Sequence, residues 1–412
     1  MKRKGGFQVL RFLHCADLHL DRSFEGLQLI HENVEHLPRA NERVLEKIVS
    51  LALKEQVDFV LLVGDTFHQN RPSLKTQHHF FTEMQRLADA SIPVYLSFGN
   101  HDYYDESRYW FEFPDNVHLF KEEAVETFFG TSQSNEAYAI SGFSYQDKWL
   151  ETGKVSEFPM RQATYQIGMY HGEIGSERYA PFTVQEMKQK GYDYWALGHI
   201  HVATTLSENP PIIYPGAPQG HTQKENDTPG VLLVTLGEGE PNWEARSVQE
   251  IDWEECVCSM VGVKNQRTAL ERILALFTES KSSLVKVILK DTDQLPKNWL
   301  NRKEKSELLA YLANELRDRH FEQRIYQLEE VGQSLEEKIE LQASGYLRDQ
   351  LFEQYEDLTV FQQEIEELLQ HTIASKVMDV TDLQQQVLAI SKKELLEEYY
   401  WRVENEDHSG RN

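Results

Sequence analysis

The chain has 412 residues, 40% of them hydrophobic and 26% charged, and a formal net charge of −25. No apolar run approaches the ~20 residues needed to span a bilayer, which excludes a helical membrane protein. Three cysteines (Cys15, Cys256, Cys258) in so long a chain exclude a disulfide framework.

At about 100–200 residues per domain, the length predicts two or three units. Lys2, Arg3 and Lys4 open the chain. The apolar stretch that follows, Val9 to Ala16, is interrupted by Arg11 and His14. It is too short and too polar for a signal segment and reads as a first strand, so a cytoplasmic protein is expected. Further strands are predicted at Asp58–Val63, Val94–Phe98, Ala139–Gly142, Gln166–Tyr170, Tyr194–Leu197, Ile212–Tyr214 and Val231–Thr235. Between them, Arg39–Lys54 and Thr76–Ala90 carry helical periodicity. Composition changes after Gly237. Strand (Glu255–Val263), helix (Arg267–Thr278), strand (Leu284–Leu289) and helix (Ser306–Arg317) suggest a small α+β unit. The lone C-x-C of Cys256 and Cys258 fits one face of its strand better than a metal site. Beyond Gly332 the sequence looks helical. Thr359 with Gln362, and Thr381 with Gln384, have capping-box spacing. Apolar stripes run through Phe361, Ile365, Leu368 and Leu369, and through Leu383, Val387, Leu388, Leu395, Tyr399 and Val403.

Charge restricts the partners. Residues 1–250 hold 22 Lys and Arg against 35 Asp and Glu, and residues 251–412 hold 20 against 32. Neither half has the basic footprint of a protein that wraps nucleic acid on its own charge. Binding to DNA would need a local patch, bound metal ions or a partner that supplies positive charge.

Five clusters carry the chemistry, each at the end of a predicted strand: Asp17-Leu-His19, Gly64-Asp65 with His68, Gly99-Asn100-His101-Asp102, His171-Gly172, and Gly198-His199-Ile-His201. Carboxylate, imidazole and amide ligands suit Mn, Fe, Zn or Co at a hydrolytic site. Alternation along a strand would put Asp17 and His19 on one side, and His199 and His201 likewise. Gly64, Gly99 and Gly198 would let the backbone turn sharply as it leaves a sheet. In open α/β sheets ligands bind beyond the carboxyl ends of the strands, where all five clusters would converge. Any one of these motifs is common by chance; the ordered set is not.

The set D-x-H, G-D, G-N-H-D, H and G-H-x-H resembles the calcineurin-like metallophosphoesterase superfamily. The form G-D-x-F-H followed by Arg71-Pro72 looks like its SbcD-type branch of DNA repair nucleases, and the opening H-C-A-D-L-H-L-D is similar to the bacillar YhaO sub-branch. The resemblance implies an α/β fold: a four-layer αββα sandwich with two mixed sheets over residues 1–245, a small α+β capping domain at 246–332, and a helical C-terminal region at 333–412 open to partner docking. It implies two divalent ions, manganese first, with Fe, Zn or Co as alternatives. Asp17, His19, Asp65 and His201 would hold one ion; Asp65, Asn100, His171 and His199 would hold the other, with Asp65 bridging. His101 would contact the scissile phosphate, with Asp102 orienting its ring, and His68 would be a second phosphate-site histidine. Arg71, Lys75 and Arg108 are candidates for phosphate contacts. Where the SbcD pattern usually has glycine, two residues past the D-x-H histidine, this chain has Asp21; only the YhaO-like resemblance accounts for it. The implied partners are DNA, an SbcC-like coiled-coil ATPase docking on the C-terminal helices, and a second copy of the chain. Other readings keep the site for cyclic or other small nucleotides, or make the protein a catalytically idle scaffold.

Overall fold

The computed structural model describes residues 9–25, 27, 37–225, 230–237, 239–278, 282–292, 294–296, 299–331, 357–365 and 380–391. In chain order, the first elements are β1 (Leu10–Cys15), α1 (Ala40–Glu55), β2 (Phe59–Val63), α2 (Leu74–Asp89), β3 (Val94–Ser97) and β4 (Val117–Leu119). There follow β5 (Glu126–Thr131), β6 (Ala137–Gly142), β7 (Tyr165–His171), α3 (Val184–Gln189), β8 (Tyr194–Gly198), β9 (Thr204–Glu208) and β10 (Pro211–Tyr214). The remainder comprises β11 (Val231–Leu236), β12 (Asn242–Arg246), β13 (Asp252–Ser259), α4 (Gln266–Leu274), β14 (Ser283–Lys290), α5 (Arg302–Asp318), β15 (Gln323–Val331) and α6 (Leu358–Glu364). A further helical stretch covers 380–391.

Two six-stranded sheets, ordered β12-β11-β1-β2-β3-β4 and β5-β6-β7-β8-β10-β9, form the body. Each has a parallel block of four strands, β1–β4 in one and β6, β7, β8 and β10 in the other, with antiparallel neighbours outside it. These are the two mixed sheets of a metallophosphoesterase α/β sandwich. Strand parity decides which side chain goes where. Phe12, Phe59, Leu61 and Tyr95 meet Tyr138, Ile140, Ile167, Met169 and Tyr194 between the sheets. Their alternates Leu13, Val60, Leu62 and Leu96 face α1 and α2 through Leu45, Ile48, Val49, Phe80 and Met84. On the far side of the second sheet, Tyr170, Trp195 and Leu197 pack with Phe158, Phe182 and Met187 of α3. Parallel strands buried on both faces need apolar residues at every position, and β2 (FVLLV) shows it.

His14 is buried inside this sandwich. Its Nε2–H donates to the Leu197 carbonyl at 3.0 Å, so its Nδ1 accepts from the Tyr194 hydroxyl at 3.0 Å. Burial holds the ring neutral and lowers its pKa to about 3.

Contacts group the chain into a larger unit (1–258, 270–288 and 298–329) and a smaller one (259–269, 289–297 and 330–412). In the larger unit, Trp253, Leu284 and Tyr326 from the sheet β13-β14-β15 pack with Leu37, Ala40 and Phe24, and the Trp253 indole donates to the Gly220 carbonyl at 2.9 Å. Cys256 and Cys258 do share one face of β13, with exposed Val257 between them. The capping boxes are a correction. Thr359 lies inside α6, and its backbone N–H donates to Asp357, so the helix starts earlier and on a different side chain. Thr381 is likewise inside its helix. Leu368, Leu369, Leu395, Tyr399 and Val403 lie outside the described residues. Among the described residues no helix is long and apolar enough to cross a membrane.

Candidate metal centre

The five clusters converge at the carboxyl ends of the parallel strands, by a different route from strand alternation. β1 ends at Cys15 and β8 at Gly198, so Asp17, His19, His199 and His201 all lie beyond the strands. Asp17, His19, Asp65 and His199 are aimed by left-handed backbone, with φ of 54°, 43°, 50° and 107°. Such conformations cost about 1–3 kcal/mol each for residues with a Cβ and need the surroundings to impose them. Here the loops are laced together. Backbone N–H groups of Asp17, His19 and Leu20 donate to the carbonyls of Gly64, Asp65 and Thr66. The buried Asp102 carboxylate accepts from the N–H groups of Gly99 (2.8 Å), Asp65 (3.2 Å), Thr66 (2.8 Å) and Phe67 (3.2 Å). Contrary to the family-based expectation, Asp102 therefore does not orient the His101 ring. It clamps two loops together, and burial with the nearby Asp65 charge pushes its carboxyl up to about 7.

Around His171 the donors are set by backbone. Its Nδ1–H donates to the Val63 carbonyl at 3.1 Å, which leaves a lone pair on Nε2. That nitrogen lies 3.2 Å from Asn100 Oδ1 and 3.6 Å from Asp65 Oδ2. Asn100 Oδ1 also lies 3.1 Å from His199 Nδ1. The three glycines are explained here. A Cβ on Gly64 would collide with the His171 ring, on Gly99 first with the Asp65 carboxylate and then with that ring, and on Gly198 first with the Val63 carbonyl and then with the ring. Only Gly64 of the three has positive φ, at 74°. Space for the Asp65 carboxylate, the Val63 carbonyl and the imidazole, more than freedom to turn, demands glycine at the other two.

The other group is built from side chains. His19 Nε2 lies 3.1 Å from His201 Nε2 and 3.7 Å from Asp65 Oδ2, and His201 Nε2 lies 4.0 Å from Asp17 Oδ1. His201 Nδ1–H donates to Glu225 at 2.8 Å. Glu225 also accepts from the His221 N–H at 2.7 Å and from Arg22 at 3.1 Å. Burial alone would raise the Glu225 carboxyl, but these donors bring it down to about 2. Glu225 and Arg22 have no part in the sequence motifs, and Asp21 closes the H-C-A-D-L-H-L-D opening without any sign there of its hold on the His68 loop. A carboxylate a few residues past G-H-x-H is too common a feature to single out.

His68 and His101 stack beside this second group, with ring centroids 4.6 Å apart and both edge-on to His19. His101 Nδ1–H donates to the His68 carbonyl at 3.2 Å. The His68 loop is itself held by Asp21, which accepts from the N–H groups of His68 (2.6 Å) and Gln69 (3.2 Å). Of the three candidate phosphate cations, Lys75 pairs with Glu42. Arg108 lies over the Tyr103 ring and bonds its carbonyl and Asp105. Only Arg71 is left, exposed on the loop after His68.

A calcineurin-like phosphoesterase family model matches residues 10–203, which contain all five clusters. The chain is 32% identical over 314 residues to YhaO, an uncharacterized metallophosphoesterase of Bacillus subtilis, a match covering 74% of this chain and 76% of that one. This chain belongs to the calcineurin-like phosphoesterase family. Within it, the DNA double-strand break repair protein Mre11 of Methanopyrus kandleri is 24% identical over 319 residues, covering 70% of this chain and 66% of the relative. The SbcD chain of the SbcCD nuclease of B. subtilis is 29% identical over 94 residues, covering 23% of this chain and 22% of the relative.

Phosphoesterases of this family use divalent metal ions, and the donors here fit them. Asp17, His19 and His201 bring ligand atoms within 4.8 Å of one another, as do Asp65, His171 and His199. His171 Nε2 and Asn100 Oδ1 are both acceptors, yet face each other at hydrogen-bond distance. Asp17 and Asp65 are buried carboxylates. A divalent cation among these oxygen and nitrogen donors would satisfy them together.

Proposed function

We propose that this protein is a two-metal phosphodiesterase acting on DNA, a repair exonuclease or endonuclease that works as one component of a complex with an SbcC-like ATPase. The observation that carries the reading is the placement of Asp65. Its Oδ1 accepts the His101 N–H at 3.0 Å. Its Oδ2 lies 3.7 Å from His19 and 3.6 Å from His171, so one oxygen faces both ligand groups. Asp17, His19, Asp65 and His201 would hold one ion, and Asp65, Asn100, His171 and His199 the other, with manganese the first candidate. When bound, the ions supply an acidified water and neutralise charge developing on phosphorus. His101, with its Nδ1–H committed to the His68 carbonyl, would in its protonated form direct Nε2–H at the phosphate and pass that proton to the leaving oxygen, ending as the neutral ring. His68 stacks behind it and Arg71 can reach a neighbouring phosphate.

The DNA assignment draws support from the two nuclease and repair relatives, Mre11 and the SbcD chain of SbcCD. Residues 246–332 would act as a cap that chooses DNA ends, the helices after 355 as the ATPase dock, and the working form would be a homodimer. Positive charge from the ATPase would offset the net −25. The test is cleavage of end-labelled duplex and single-stranded DNA with Mn or EDTA, beside Asp65→Ala and His101→Ala. Mn-dependent cleavage lost in both variants supports the reading. Two bound ions and hydrolysis of a chromogenic phosphodiester, without DNA cleavage with or without the ATPase, would sink the DNA assignment and turn attention to small nucleotides.

A further inference from the structure

An acidic enzyme gains little from general attraction to a polyanion, so a strand must be held by something else. One surface beside the metal centre has that character. The Tyr179 ring lies against His199, centroids 4.5 Å apart and tilted 38°. The Tyr179 segment is tied to the Trp149 segment: the Leu150 N–H donates to the Arg178 carbonyl at 2.9 Å and the Ala180 N–H to the Leu150 carbonyl at 2.7 Å. Trp149, next in the chain, is 50% exposed. Its ring has the Arg178 guanidinium 5.2 Å and the Lys148 ammonium 5.7 Å from its centroid. A large indole left half in water, with two cations on it and a tyrosine leading back to a metal-ligand histidine, has no role in the core.

We infer that Trp149, with Arg178, Lys148 and Tyr179, is a stacking platform for the bases of a single strand leaving the metal centre. The inference rests on the nuclease reading and names the form of substrate that it takes. Every base offers a π-face, so such a platform is indifferent to sequence. Its cations would touch phosphates, but exposed Asp147, Glu151 and Glu177 lie beside them in the chain, so the patch carries no net positive charge. Stacking therefore supplies most of the affinity. Two phosphate contacts at most give a shallow salt dependence, a slope of log K against log salt no steeper than about −1.5.

The test is fluorescence anisotropy of a labelled oligothymidylate of about a dozen nucleotides, with the full chain in EDTA so that nothing is cleaved. Trp149→Ala should weaken binding on the order of tenfold, Trp149→Phe should keep most of it, and the salt slope should be shallow. Melting temperature and size-exclusion mass check the fold. Equal binding by wild type and Trp149→Ala, or a steep salt slope, overturns the platform; so does a Trp149→Ala effect confined to a change of oligomeric mass. The two readings fail separately. DNA cleavage that is unaffected by Trp149→Ala leaves a nuclease without this platform, whereas Trp149-dependent binding with no cleavage leaves the platform without a nuclease.

Discussion

The two halves of the metal centre are held by different means. His171 is fully buried, its tautomer set by a strand carbonyl and its space carved out by three glycines. His201 is 23% exposed in its side chain and is aimed by Glu225, which is held in turn by Arg22 and a loop N–H. One half is a property of the sheet; the other depends on side chains that converge from distant loops. A backbone-built half should tolerate little local change and resist distant ones. A side-chain-built half should lose ion affinity stepwise as its supports are removed.

The largest effect should come where the halves meet. Asp65→Ala removes the oxygen facing both groups. It should abolish phosphodiester hydrolysis, by on the order of 10³-fold or more, and lower the metal content below that of either half alone, read by plasma emission on the dialysed protein. Retention of one full ion would show that the halves are independent. Next in size, Gly198→Ala puts a methyl group into the Val63 carbonyl and the His171 ring. Overpacking of this kind costs about 1–3 kcal/mol. Urea unfolding should show that loss together with a weakened second ion. An intact ion there would mean that the glycine serves the sheet and not His171.

The same contrast explains what could be read from the sequence. The eight strands predicted for the body all form, within two residues of their predicted ends, because buried parallel strands show as apolar runs. β4, β5, β9 and β12 are short or half-exposed edge or near-edge strands without such runs and escape detection. The backbone-built half is legible because glycine beside a ligand is a visible motif, although its reason is room for the His171 ring, the Asp65 carboxylate and the Val63 carbonyl. Glu225 and Arg22 are invisible, and Asp21 shows only as a departure from glycine, since their roles arise only when loops up to 203 residues apart in sequence meet. Left-handed φ at Asp17, His19 and His199 is equally hidden, which is why strand alternation gives the right convergence for the wrong reason.

His14 tests the layer beneath both halves. Its folded pKa, about 3, lies below the unfolded value of 6.5. The unfolded state therefore binds the extra proton between those values, and the stability from neutral His14 is complete above about pH 6.5 and lost as pH falls toward 3. In metal-free protein that loss should reach about 2 kcal/mol by pH 5. His14→Asn should reduce the dependence of stability on pH by about one proton over that window. An unchanged slope would show that His14 is not the group that titrates.

Glu225→Gln keeps an acceptor near His201 but removes the charge that pairs with Arg22. Losing such an outer support should weaken an ion bound at the Asp17, His19 and His201 group by about 10–100-fold. Calorimetric titration should leave the ion at His171 unchanged. Equal weakening of both would erase the distinction between the halves.

Asp21→Gly is the finest probe, because glycine is what the wider SbcD pattern usually has at this position. The Asp21 carboxylate holds the His68 and Gln69 N–H groups, and the His68 carbonyl in turn holds His101. The chain of contacts runs from Asp21 to the phosphate side and reaches no metal ligand by a hydrogen bond of its own side chain. Removing two hydrogen bonds from a surface-facing loop should loosen His101 without emptying the ion sites. Turnover should fall about three- to tenfold, with metal content unchanged, and Asp21→Asn, which keeps one acceptor, should fall between. If metal content drops together with turnover, the His68 loop is part of the ion-binding framework, and the division between what holds the metals and what meets the phosphate has been drawn in the wrong place.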